Sequence, residues 1–195
     1  MDRNRELQLV SRLRAGDPEA FDEIHDTFNP RLFNFLSRLS NRRDVAEDLL
    51  EETWLRLVKY SHRLRPETQL GAWLFTVARN LHVSYCRSRL LEDSRAADLI
   101  GLWPSRSGGP SPIEAAEASE AQRRIATALA ALPAIYREAL LLTAIEGLRP
   151  SEAATICGVT AEAMRQRLSR ARGLLARRLA DAQAPGLASL KEVTT

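Results

Sequence analysis

Residues 103–112 read Trp-Pro-Ser-Arg-Ser-Gly-Gly-Pro-Ser-Pro, and they divide the chain. Three prolines and two glycines in ten residues cannot continue a helix or sit inside a sheet. On either side, apolar residues recur at every third or fourth position, and no segment alternates as a strand does. With 195 residues, there is enough chain for one ordinary domain or two small ones. The expected fold is therefore all-α. Two small helical domains, an N-terminal helical bundle and a C-terminal helix-turn-helix, are joined by a flexible linker. The expected boundaries are 1–91 for the first domain, 92–117 for the linker, 118–180 for the second domain and 181–195 for a fraying tail.

Local signals place the helices. Gly16 stops a first helix, and Asp17-Pro18 offers an N-cap followed by proline at the first helical position. The second helix runs on through Phe21, Ile24, Phe28, Leu32 and Phe35, with Pro30 as a candidate kink. A third spans about Asp44 to Tyr60, Ser61 to Gln69 forms a loop, and a fourth runs from Leu70 to about Leu91. Beyond the linker, helical patterns cover Ile113 to Ala130, Pro133 to Glu146, Pro150 to Cys157 and Thr160 to about Ala180.

Apolar residues make up 45% of the chain and charged residues 27%, the balance of an ordinary globular protein. Cys86 and Cys157 are the only two cysteines and form no CxxC pair, so neither a disulfide framework nor a zinc finger is expected. The N-terminus lacks the apolar core of a signal peptide, and no apolar run approaches the roughly 20 residues of a membrane span. A cytoplasmic location without membrane insertion follows as the expectation.

The segment Pro150–Leu179 has the parts of a helix-turn-helix. Ala154 is small where two helices would touch, Gly158 tolerates a left-handed turn, Val159 and Met164 are apolar anchors, and Thr160 is an N-cap. On the second helix Met164, Leu168, Ala171 and Leu175 share a face at about 100° per residue. The opposite face carries Gln166, Ser169, Arg170, Gly173 and Arg177. Asp and Glu are absent from Arg165 to Leu179, whereas a merely solvated face usually mixes signs. The second helix of such a motif enters the major groove. Arg165, Gln166, Ser169 and Arg170 are therefore expected to meet base edges, and Arg172 and Arg177 phosphates.

The third helix has the opposite character. Asp44, Glu47, Asp48, Glu51 and Glu52 lie together with Leu55, against an apolar face of Ala46, Leu49, Leu50, Thr53 and Leu57. By itself this helix reads most simply as an ordinary solvated face. As a binding surface its acidity repels DNA, so a basic protein partner with Leu55 as apolar anchor fits better, in a chain whose net charge is +3. The fourth helix reverses the sign again. Trp73, Leu74, Val77, Leu81 and Tyr85 are expected inside, with Thr76, Arg79, Asn80, Val83 and Arg87 on a polar, basic outer face.

Three stretches, DVAEDLLEETWLRL, AWLFTVARNLHVSYCRSR and LPAIYREALLLTAIEGLRPSEAATICGVTAEAMRQRLSRAR, resemble regions 2 and 4 of bacterial sigma factors in their short extracytoplasmic-function (ECF) form. The resemblance implies that the acidic helix, through Asp44, Glu47, Asp48, Glu51, Glu52 and Leu55, binds the clamp helices of the largest subunit of core RNA polymerase. It implies that Arg63, Arg65, Arg79, Asn80 and Arg87 serve the −10 element, where an unstacked base is trapped at a cost of about a few kcal/mol. The helix-turn-helix would read the −35 element of promoter DNA and meet the polymerase flap region. The linker would thread toward the RNA exit channel, and an anti-sigma factor is a further implied partner. Such a protein is not an enzyme and needs no cofactor.

The sequence departs from the family at Glu51, commonly Gln, at Leu64, frequently aromatic, and at Glu162-Ala163, commonly Gly-Thr. Glu162 can complement the helix dipole or accept from a cytosine amino group. Three other readings compete. The acidic cluster can in principle hold a divalent metal, but its members share one helix face without a base. His82 and Cys86 are i,i+4 neighbours without a third ligand nearby in sequence. A conventional helix-turn-helix regulator with a sensing N-terminal domain is the serious alternative, and it predicts tight DNA binding without polymerase.

Overall fold

A computed structural model describes residues 2–97 and 119–181, with the side chains of 92–97 excepted. Among the described residues there are eight α-helices and no strand. The chain divides into two compact units. The first holds α1 (Arg3–Arg14), α2 (Pro18–Ser40), α3 (Arg43–Tyr60), a 3₁₀ turn at Ser61–Arg63 and α4 (Leu70–Ala97). The second holds α5 (Glu120–Ala130), α6 (Ala134–Leu140), α8 (Ala161–Asp181) and most of α7 (Pro150–Cys157). The expected linker start at 92 falls within α4, which runs on to Ala97. Trp103, the rest of the linker and residues 182–195 of the tail lie outside the described residues.

In the first unit the turn between α1 and α2 follows its sequence. Asp17 accepts from the Glu19 N–H at 3.0 Å, and Pro18 opens the helix. Pro30 does not end α2, which continues to Ser40, where Asn41 at φ 55° closes it. The buried stripe of α2, Ala20, Ile24, Phe28, Leu32, Phe35, Leu36 and Leu39, repeats every three or four residues. Phe35 meets Phe75 of α4 edge-on, with centroids 5.4 Å apart. Trp54 of α3 is buried and donates its indole N–H to Asn29 Oδ1 at 2.9 Å, so its one polar atom is satisfied.

The buried face of α4 is rotated from the expected one. Leu70, Leu74, Phe75, Ala78, Leu81 and His82 are buried, while Trp73, Val77 and Tyr85 are half-exposed. Both faces are rich in apolar residues, so periodicity alone does not choose between them. The Phe35–Phe75 contact does, because it turns Phe75 and Ala78 inward and leaves Trp73 on the outer side.

In the second unit Ser119 and Gln122 form a reciprocal capping box at the start of α5, with bonds of 3.2 and 2.7 Å. The helix expected from Pro133 to Glu146 is interrupted. After α6 the backbone widens into a π turn at Leu141–Ile145, and Gly147 (φ +70°) ends it. Arg137 is buried and donates to the carbonyls of Ala130 and Leu132 at 2.7 and 2.9 Å, which ties the α5–α6 turn together. Burial lowers the pKa of this guanidinium. Gly158 adopts φ +64° between α7 and α8, and Thr160 Oγ1 accepts from the Ala163 N–H at 3.1 Å, both as the sequence predicts. Met164, Leu168 and Ala171 are buried; Leu175 is half-buried.

Candidate nucleic-acid and partner interfaces

On α3, Asp44, Glu47, Asp48, Glu51 and Leu55 are exposed, and Glu52 is half-exposed. They are not electrostatically equivalent. Asp44 pairs with Arg42, Glu47 with Arg43 at 2.9 Å, and Glu52 with Arg56 at 2.9 Å. The Arg42 bond holds the Asp44 carboxyl below the usual carboxylate range. Asp48 and Glu51 have no ion-pair partner among the described residues. The net acidity of the face is thus concentrated on these two side chains.

Glu51 and Glu47 edge a shallow groove of about 430 Å³ whose lining also includes Leu50, Trp54, Leu55, Val58, Phe21 and His25. Leu50 was expected inside but is half-buried, because this groove opens beside it. Leu55 and Val58 are 58% and 57% exposed, an apolar pair large enough to anchor a partner. Phe21, His25 and Trp54 pack as an aromatic trio, with His25 and Trp54 centroids 4.8 Å apart. The acidic stretch by itself does not show that α2 forms one wall of the groove. The i,i+4 spacing of Phe21 and His25 was the available clue.

The loop between α3 and α4 exposes Arg63 and Arg65 but buries Leu64 at 6% exposure. Leu64 is therefore an anchor of the loop, which explains an aliphatic residue there. On α4, Asn80 and Arg87 are exposed, with Thr76, Arg79 and Val83 half-exposed on the same face. Arg79 Nη1 donates to Asn80 Oδ1 at 3.3 Å, so the two side chains are presented together. His82 is buried, with Nε2 3.6 Å from the Cys86 sulfur, and burial pushes the Cys86 thiol up. Among the described residues no group of three or more His, Cys, Asp or Glu is arranged to hold a metal ion.

On α8, Arg165, Gln166, Ser169, Arg170, Arg172 and Arg177 are all exposed; Gln166, Ser169, Arg170 and Arg177 lie on the side away from Met164, Leu168 and Ala171, and Arg165 and Arg172 flank them. Glu162 is engaged with this set. Its carboxylate accepts from Arg165 at 2.6 and 3.1 Å and from Gln166 at 3.5 Å, and the Arg165 bonds lower its pKa. A depression of about 560 Å³ is lined by Arg170, Arg177, Gly173 and Leu174, together with Tyr136 of α6. Tyr136 was missed because it lies 34 residues before Arg170 in sequence and only the tertiary fold brings it alongside.

Comparison with known proteins adds to this geometry. The family described as Sigma-70 region 2 matches residues 24–90, and Sigma-70, region 4 matches residues 122–175. The ECF RNA polymerase sigma factor EcfG of Rhodopseudomonas palustris is 35% identical over 147 residues, covering 75% of this chain and 77% of that protein. The chain belongs to the sigma-70 family, in its ECF branch. The ECF sigma factor SigM of Bacillus subtilis is 32% identical, covering 77% of this chain and 90% of that one. Among solved structures, the sigma factor RpoE in complex with the anti-sigma factor NepR from Bartonella quintana is similar, with TM-score 0.69, 30% identity and coverage of 82% of this chain and 96% of that chain. This sigma factor is a promoter-recognising initiation factor of RNA polymerase and not an enzyme. No helix among its described residues is long and apolar enough to cross a membrane.

Proposed function

We propose that this sigma factor docks on the clamp helices of the largest polymerase subunit through Asp48, Glu51, Leu55 and the groove beside them. Asp44, Glu47 and Glu52 add a ring whose arginine partners can exchange for those of the clamp. The −10 element is read by Arg63, Arg65, Arg79, Asn80 and Arg87, with half-exposed Trp73 offering a stacking surface on the same side of α4. The −35 element is read as duplex by Arg165, Gln166, Ser169 and Arg170, while Arg172, Arg177 and Tyr136 hold phosphates. The second unit also meets the polymerase flap region. The protein works in the cytoplasm, with the residues up to Ala97 acting as dock and −10 reader, 98–117 as tether and 118–180 as −35 reader.

One observation carries this reading: the charges are partitioned. Unpaired acid sits beside an apolar groove on α3, and the face of α8 from Arg165 to Leu179 contains no acidic residue. A DNA-binding regulator has no need of the first surface. The neighbouring RpoE structure contains an anti-sigma factor, which supports a protein inhibitor as a further partner here. Run-off transcription with purified core polymerase on randomised promoters tests the proposal. It predicts selection of a two-part promoter. Tight duplex binding without polymerase, and no initiation with it, favours the regulator instead.

A further inference from the structure

The loop that precedes α4 is held from a distance of more than 60 residues in sequence. Arg3 Nη2 donates to the Glu67 carbonyl at 2.6 Å, and its Nη1 reaches the Thr68 carbonyl at 3.5 Å. The same guanidinium pairs with Glu6 Oε2 at 2.8 Å. Glu6 is the better buried of the two, with a side chain 15% exposed, and its other oxygen accepts from the Gly71 N–H at 3.1 Å. That amide belongs to the first turn of α4, where no intrahelical acceptor exists. From below, Leu64 is buried, and the loop closes on itself through Leu64 N–H to Ser61 O at 3.2 Å and Thr68 N–H to Arg65 O at 3.0 Å. The side chains of His62, Arg63, Arg65 and Gln69 nevertheless remain exposed.

We propose that Arg3 and Glu6 of α1 are positioning residues for capture of the unstacked −10 base, acting through the backbone of the 61–71 segment and not by touching DNA. A loop that must grip a single splayed nucleotide loses conformational entropy on binding unless its backbone is already fixed. Two charged side chains on a packed helix supply that fixation. Arg3 orders two successive carbonyls, Glu6 orders the guanidinium, and Glu6 also sets where α4 begins, hence the register of Trp73, Arg79 and Asn80. Fixing the backbone through carbonyls and an amide leaves the loop side chains free for the nucleotide. The alternative role, ordinary stabilisation of the fold, predicts no preference for one DNA element.

The inference rests on the proposal that the loop and α4 read the −10 element, so the test separates the two. Full-length protein assembled with core polymerase is titrated with a labelled single-stranded oligonucleotide carrying the −10 sequence selected by run-off transcription, and with a −35 duplex. Arg3→Gln is expected to weaken oligonucleotide binding about tenfold and to narrow the ratio between selected and scrambled sequences. Duplex binding and core assembly stay at parent values. Arg3→Lys, which can serve one carbonyl, falls between. Amide exchange at Leu64, Thr68 and Gly71 quickens in Arg3→Gln and Glu6→Gln. Parent-like oligonucleotide binding by Arg3→Gln beside a clear loss in Asn80→Ala overturns the inference and leaves the −10 reading intact. Parent-like binding by both variants removes the −10 reading and the inference with it. Equal losses on oligonucleotide, duplex and core assembly assign Arg3 to folding alone and also overturn it.

Discussion

Arg165 closes a two-pronged grip on Glu162, with Nη2 2.6 Å and Nε 3.1 Å from one carboxylate oxygen. The pair stands at the start of the recognition helix, where Gln166 also reaches the same carboxylate. Glu162 therefore aims two of the side chains expected to read bases, and it keeps one positive charge neutralised before DNA arrives. Glu162→Gln is expected to bind non-specific duplex several-fold more tightly and to discriminate less between −35 sequences. Its log–log salt dependence steepens by about one unit, since one more cation meets phosphate. Fluorescence anisotropy on cognate and scrambled duplexes at several salt concentrations measures all three.

Arg170 and Tyr136 share a depression but are given different tasks. Arg170→Ala is expected to cost about 1–3 kcal/mol of −35 binding at one base position. Tyr136→Phe removes a hydroxyl alone and is expected to cost about 0.5–1.5 kcal/mol, evenly across sequences. The same anisotropy titration on a panel of single-base −35 variants distinguishes a sequence-selective loss from a uniform one.

Two glycines near the motif are expected to respond in opposite ways to alanine. Gly158 holds φ +64° with nothing within 4 Å of an added Cβ, so Gly158→Ala suffers only the left-handed backbone cost of about 1–2 kcal/mol. Gly173 is inside α8, and an added Cβ there also meets nothing within 4 Å. Gly173→Ala should stabilise the helix by about 0.8–1 kcal/mol while weakening DNA binding, since the added methyl group fills open space on the face that meets DNA. Thermal melts paired with duplex titrations read both effects.

Acid sensitivity follows from the paired carboxylates. Asp17 is held below its ordinary 3.8 by Arg12, and Glu152 below its ordinary 4.5 by Arg149. A lowered carboxylate pKa stabilises the folded state at every pH above the ordinary value, and this contribution disappears as pH falls through the lowered one. The melting temperature is therefore expected to hold above about pH 4.5 and to decline below it. Glu152→Gln should flatten that decline. Both side chains are partly exposed, Asp17 at 30% and Glu152 at 26%, so the effect is modest and shrinks with salt.

Much of this was legible in sequence because local rules and tertiary packing agree. Asp17-Pro18, Gly158 and Thr160 declare the ends of helices through their own backbone chemistry, and Met164, Leu168 and Ala171 declare a buried face through spacing. Three features were not legible, each for a physical reason. The α4 face turns on tertiary contacts such as those of Phe75 with Phe35 and Arg31 of α2, which no periodicity contains. The π turn after Leu140 follows a run of leucines that continues helical spacing without interruption. The acidic face looked uniform along the chain, yet Arg42 and Arg43 lie just outside the stretch and neutralise Asp44 and Glu47, as Arg56 does Glu52.

That last relationship gives the most direct test of charge partition. Binding of labelled full-length protein to core polymerase and to a −35 duplex is measured side by side for Asp48→Arg combined with Glu51→Arg. The account predicts core binding at least about 30-fold weaker, roughly 2 kcal/mol, with duplex binding undiminished and the helical circular-dichroism signal intact. Core affinity equal to that of the parent protein would contradict it.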